Sequence, residues 1–162
     1  MASTLPEILT FLDQCGFPFE LWDCDPALAD TAQFCEAYQV PLDHSANAIL
    51  MRSKSGEQKY ALCVLLATHR LNGNHCVRKK LGTRKVSFAS AEETRHLTGM
   101  EIGGVTPIAI PQTLPIWIDE AVMDREYVIL GGGNRESKIK LPPKALLSQI
   151  NVEIVSDLAS KG

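Results

Sequence analysis

Residues Gly99 to Pro107 read Gly-Met-Glu-Ile-Gly-Gly-Val-Thr-Pro, and a second cluster, Gly131-Gly132-Gly133-Asn134-Arg135, follows beyond an apolar stretch. A Gly103-Gly104 step closed by Thr106-Pro107 makes a stiff loop of bare backbone. Such a loop can aim several N–H groups at one spot, which binds a carbonyl, carboxylate or phosphate without side chains. The same residues also suit tight turns between strands.

Side chains that usually carry catalysis are not arranged in known patterns. No Gly-x-Ser-x-Gly elbow is present. The second cluster lacks the Gly-Lys-Ser/Thr of a phosphate loop. The first cluster is expected to end a helix rather than open one after a strand, unlike a dinucleotide fingerprint. His69, His75 and Cys76 match no zinc spacing, so no metal is expected. No cofactor is expected either. If the chain is an enzyme, backbone groups carry much of its chemistry.

These loops need a scaffold, and the chain is long enough to build one. Its 162 residues are 45% hydrophobic and 22% charged, which fits a globular domain with its own core. The net charge of −3 gives no global attraction to nucleic acid. Local basic runs remain at Arg78-Lys79-Lys80 with Arg84-Lys85, and at Arg135 with Lys138 and Lys140. Five cysteines with no Cys-x-x-Cys pair suit a reducing compartment. No apolar run approaches a membrane span, and the stretch up to Glu7 has no basic-then-apolar signal pattern, so a cytoplasmic protein is expected.

Helix signals are Thr4 with Glu7, stopped by Gly16; Asp30 with Gln33, ending near Val40; His75 to Leu81, stopped by Gly82; and Ser90 with Glu93, stopped by Gly99. Pro142-Pro143 opens a last helix predicted to run through Ile150. Strands are predicted over 18–23, 47–52, 59–67, 85–89, 115–119, 127–130, 138–141 and 152–155, with 53–58 as a hairpin loop. From Ala159 the chain reads as loose. The fold class is mixed α/β (α+β): a single domain over 1–162, with a mixed, largely antiparallel sheet or partly open barrel flanked by helices.

With these parts in order, the sequence resembles the YbaK/ProX aminoacyl-tRNA editing domains, also found inserted in bacterial prolyl-tRNA synthetases. The resemblance rests on Gly99-x-x-x-Gly103-Gly104-Val105-Thr106-Pro107 together with Leu114-Pro115-x-x-Ile118-Asp119, and spans about residues 4 to 152. It implies a trans-acting deacylase that hydrolyses the ester of a misacylated tRNA, using the glycine loop and a ribose hydroxyl that helps activate water. The implied catalytic loop is Gly103, Gly104, Val105, Thr106 and Pro107, with Pro107 stiffening it. The implied substrate contacts are Asn47, His69, Gly132, Gly133, Arg135 and Lys138. The resemblance puts a lysine where this chain has Asn47, and often an aspartate where it has Lys138. Lys138 replaces the missing cation if both face one cleft; otherwise it is an exposed strand residue. The implied partner is a tRNA acceptor end carrying a mischarged amino acid, with no DNA and no membrane. Two rival readings stay open. One is a non-catalytic module binding an aminoacyl-tRNA end, amino acid or nucleotide in the same pocket. The other is an aminoacyl-tRNA synthetase partner using an apolar surface at Trp22 or Trp117.

Overall fold

The computed structural model describes residues 4–162. In chain order the regular elements are α1 (Pro6–Gln14), β1 (Glu20–Asp23), α2 (Thr31–Tyr38), β2 (Ala46–Ser53), β3 (Tyr60–Leu66), β4 (His69–Leu71), α3 (Arg78–Leu81), β5 (Val86–Phe88), α4 (Ala91–Thr98), β6 (Ile116–Asp119), α5 (Glu120–Met123), β7 (Val128–Gly131), β8 (Ser137–Leu141), β9 (Val152–Val155) and β10 (Ala159–Lys161).

The apolar run of β3 forecasts a strand covered on both faces. Its Leu62, Val64 and Leu66 enter one apolar cluster, while Ala61 and Cys63 enter another. β3 sits at the centre of a five-stranded sheet ordered β5-β2-β3-β6-β9. The β2–β3 hairpin is antiparallel, whereas β6 joins β3, and β9 joins β6, in parallel. A second, antiparallel sheet is ordered β1-β8-β7. Ser45 bridges Ile129, bringing the start of β2 beside β7. The main core fills the space between the sheets with Leu50, Val64, Ile118, Leu130 and Ile139. Burying each such side chain contributes about 1.5–3 kcal/mol. The mixed α/β class is as expected, and neither sheet closes into a barrel.

Several local expectations change. The Ser90–Glu93 capping box forms in full, and Gly99 ends α4 in the left-handed region. At α1, however, Leu5 is the N-cap and makes no side-chain bond; the Thr4 hydroxyl is buried without a partner among the described residues. Pro6 fixes the first turn instead. Asp30 caps α2 only through its backbone, because its carboxylate accepts from Arg135. The expected last helix is a 3-10 segment, Pro143–Ser148. It stops where the Gln149 amide turns back onto the loop, donating to Pro107 O at 2.6 Å and accepting from Ala109 N at 3.2 Å. The end of the chain is not loose: β10 pairs with β4, and buried Asp119 accepts from Ala159 N at 3.1 Å.

All five cysteines are reduced, and Cys24, Cys35 and Cys63 are buried. Burial raises the pKa of each of these three thiols. Among the described residues no helix is long and apolar enough to cross a membrane.

Candidate active site

The two sheets part where β2 leaves β7, and a cavity of about 300 Å³ opens there. Its floor is β2 from Ala46 to Leu50 and the end of β7, Ile129 to Gly131. Asp30 and Thr31 at the start of α2 form one wall; Phe88, Ala89 and Thr94 form another. Ile102, Gly103 and Val105 of the glycine loop close it. The lining contains no histidine and no cysteine; Asp30 and Lys138 are its ionisable groups.

The two glycine clusters are one unit. Gly133 N donates to Gly104 O at 2.6 Å, and Glu101 N donates to Gly133 O at 3.2 Å. A Cβ on Gly104 would lie 1.9 Å from the Asn134 carbonyl oxygen, and one on Gly131 would lie 2.4 Å from Gly104 O. Glycine is needed at both positions because backbone meets backbone there.

The pairing also decides which loop N–H groups remain. Gly104 N donates to Glu101 O at 2.8 Å, and Thr106 N points at the Met100 sulfur, 3.4 Å away. Gly103 and Val105 line the cavity, and neither N–H has an acceptor among the described residues. Of the loop residues named from the sequence, Gly104, Thr106 and Pro107 therefore support the loop from outside the cavity.

Lys138 and Asn47 do share the cleft. Lys138 on β8 is 6% exposed, so it is not a surface strand residue. Its Nζ donates to Ala29 O at 2.7 Å and Gly103 O at 2.9 Å, and sits 5.1 Å from the centre of the Phe34 ring. Desolvation pushes its pKa below the ordinary lysine value, and nearby Arg135 adds to that shift. Asn47 accepts through Oδ1 from the Thr31 hydroxyl. This fixes the amide with its NH2 group directed away from that bond.

Arg135 acts as a clasp rather than a cavity residue. Its Nε donates to Pro26 O at 3.1 Å, and its Nη1 donates to Asp30 Oδ1 at 3.1 Å and Ile102 O at 3.0 Å. One guanidinium so joins the segment before α2 to the glycine loop, which lysine's single nitrogen cannot do. Arg135→Lys is expected to increase amide exchange across 101–104 and to lower activity at the site about tenfold. Unchanged exchange there would remove the clasp from the account.

Two sequence assignments lie elsewhere. Gly132 and Gly133 support the turn, with Gly132 N donating to Ser137 O, and do not line the cavity. His69 opens β4 and lines a separate hollow with Asp43, Thr68, Arg125 and Lys161. The sequence reading missed Thr31, Thr94 and Phe88. Phe88 carried a late signal: it is 67% exposed, a large apolar residue left at the rim by an edge strand. Trp117 is buried, and Trp22 packs against the Phe34 cluster, so neither offers an open apolar patch.

Residues 25–148 match the family of the aminoacyl-tRNA editing domain. The chain belongs to that family. Among curated relatives, the uncharacterized protein YwhH of Bacillus subtilis (strain 168) is 25% identical over 158 residues, covering 95% of this chain and 98% of YwhH. Among solved structures, the hypothetical protein APE2540 superposes with a TM-score of 0.81 at 21% identity, over 95% of this chain and 99% of that one. A protein described as a proposed trans-editing enzyme for prolyl tRNA synthetase gives a TM-score of 0.77 at 21% identity, over 99% of this chain and all of that one. At these identities the solved structures establish a shared fold. In this editing domain, the matched span holds every cavity-lining residue and both glycine clusters.

Proposed function

We propose that the chain hydrolyses the ester between a mischarged amino acid and its tRNA, acting in trans. The observation that carries this reading is the pair of N–H groups at Gly103 and Val105, which have no acceptor among the described residues in a loop that lines the cavity. They hold the ester carbonyl and stabilise the oxyanion as water adds. A pair of fixed donors of this kind supplies several kcal/mol, about 2.7–4 kcal/mol for each donor measured by removal. The ester C–O bond then breaks, the ribose oxygen takes a proton, and the amino acid leaves with a free carboxylate.

The lining holds no histidine and no cysteine, and its one carboxylate, Asp30, is engaged by Arg135. Water activation therefore falls to the substrate, through the neighbouring hydroxyl of the terminal ribose. Asn47 offers its amide NH2 to that ribose or its phosphate. Lys138 supplies the positive end of the cavity and holds Gly103 in place through its carbonyl. A cavity of about 300 Å³ has room for an aminoacyl group, and selection between amino acids would come from clash with its walls.

Single-turnover deacylation tests the reading, using alanyl-, cysteinyl- and seryl-tRNA for proline and seryl-tRNA for threonine. One of these is expected to lose its amino acid. The same substrate ending in 2′-deoxyadenosine is expected to bind and stay intact. Tight binding of every substrate with no turnover would replace the enzyme with a binding module. Rapid cleavage of the deoxy substrate would move water activation onto the protein.

A further inference from the structure

Seven of the chain's sixteen lysines and arginines lie in two short stretches, 54–59 and 78–85. The run from Val77 to Ala89 contains no carboxylate, in a chain whose net charge is −3. The fold joins the two stretches. Lys54 N donates to Lys85 O at 2.8 Å, and the Thr83 hydroxyl donates to Ser55 O at 3.0 Å. Lys80 is paired with Glu153, and Lys59 donates to Leu81 O. Lys54, Lys79, Arg84 and Lys85 are exposed and make no ion pair among the described residues. Glu57, at the hairpin tip, is the carboxylate nearest in sequence to Lys54.

This basic surface runs directly to the cavity. β5 is the edge of its sheet, with no strand on its outer side. Lys85 precedes it, and Phe88 at its far end stands on the cavity rim. They are three positions apart in extended chain, about 10 Å. A polyanion whose terminus enters the cavity past Phe88 would lie with its next phosphates over Lys85, Arg84 and Lys54. The second basic group of the sequence does not compete: Arg135 is tied up in its clasp, Lys138 is buried, and Lys140 pairs with Glu20.

We propose that the β5 edge and the loop before it, with Lys54, Lys79, Arg84 and Lys85, form the docking surface for the phosphate backbone of the tRNA acceptor arm. This inference rests on the editing reading for the identity of the RNA, while its binding energy is independent of ester cleavage. Contacts of this type carry no base information; they set the register of the RNA end against the cavity.

The experiment compares the wild-type chain with two triple variants. One is Lys54→Gln, Arg84→Gln, Lys85→Gln; the other, a charge-matched control on other faces, is Arg70→Gln, Lys144→Gln, Lys161→Gln. Affinity for labelled uncharged tRNA is read by anisotropy from 50 to 200 mM salt. The first variant is expected to bind at least about tenfold more weakly and to lose about 2–3 from the slope of log affinity against log salt, at 0.7–0.9 per phosphate contact. The control is expected to bind within about twofold of wild type. Hydrolysis of an aminoacyl-adenosine ester, which has no phosphate, is expected to be equal in all three. Equal tRNA affinity in the first variant and wild type, or an equal loss in the control, would overturn the docking surface. A wild-type chain that binds RNA through this surface but cleaves no aminoacyl ester would overturn the proposed function and leave the surface standing.

Discussion

Gly104→Ala is expected to abolish deacylation and to lower stability by about 3 kcal/mol or more, which for a chain this long is a fall in Tm of roughly 6–12 °C. The added methyl would lie 1.9 Å from Asn134 O and 2.3 Å from Asn134 C. Both are backbone atoms, so no rotamer change relieves the contact. The loop must move away from the second glycine cluster. That breaks the 2.6 Å bond from Gly133 N to Gly104 O and shifts Gly103 and Val105 by more than an oxyanion can tolerate. Gly56→Ala is the matching control. Gly56 has a positive φ, which Gly104 does not, and nothing lies within 4 Å of its added Cβ. It is expected to cost about 1–2 kcal/mol and leave the rate unchanged. A Gly104→Ala protein with wild-type Tm and rate would mean that the two clusters are not held together as described.

Lys138→Met is expected to reduce deacylation by about 100-fold and to destabilise the fold by about 2–4 kcal/mol. The thioether fills much of the same space, yet Ala29 O and Gly103 O lose their donor, at about 1–3 kcal/mol for each buried carbonyl. Part of this is offset, since the variant no longer buries a charge. The pH dependence has a definite sign. Burial lowers the folded-state pKa of Lys138 below 10.5. Between the folded value and 10.5 the unfolded chain holds the proton and the folded chain does not, so native stability gains as pH rises through that window. A neutral amine keeps two N–H groups, which match the two carbonyls. The cost of Lys138→Met, read from urea melts, is therefore expected to be larger at pH 10 than at pH 7. A cost that is equal or smaller at pH 10 would show that burial does not favour the neutral amine.

Local signals in the sequence were reliable where one helix turn satisfied them, and misled where distant residues competed. Ser90 and Glu93 close on each other within four residues, so their box formed. Asp30 offers the same signal to α2, but Arg135, far along the chain, takes its carboxylate. The 3-10 segment at Pro143–Ser148 stops for a similar reason, since Gln149 is committed to Pro107 and Ala109. β10 was unreadable because its three residues are polar or small and gain strand geometry from β4 and Asp119. In the site, the loop could be found from its glycines. Which of its N–H groups remain available could not, because that depends on Glu101, Met100 and the second cluster in space. Asn47 and Lys138 were located together by resemblance. Thr31, Thr94 and Phe88 come from three elements that no short motif links.

The parallel pairing of β3 with β6 also has a cost during synthesis. The β2–β3 hairpin can close as soon as Leu66 has emerged, but Leu62 pairs with Ile116, roughly fifty residues later, or about 3–10 s at ribosomal rates of 5–20 residues per second. For that interval the most apolar strand of the protein presents an open edge to its surroundings. The nascent chain is exposed to edge-to-edge association then, before any substrate has a cavity to enter. Its yield in cells should therefore follow how quickly residues 67–118 are translated and how well that edge is shielded, more than the stability of the finished fold.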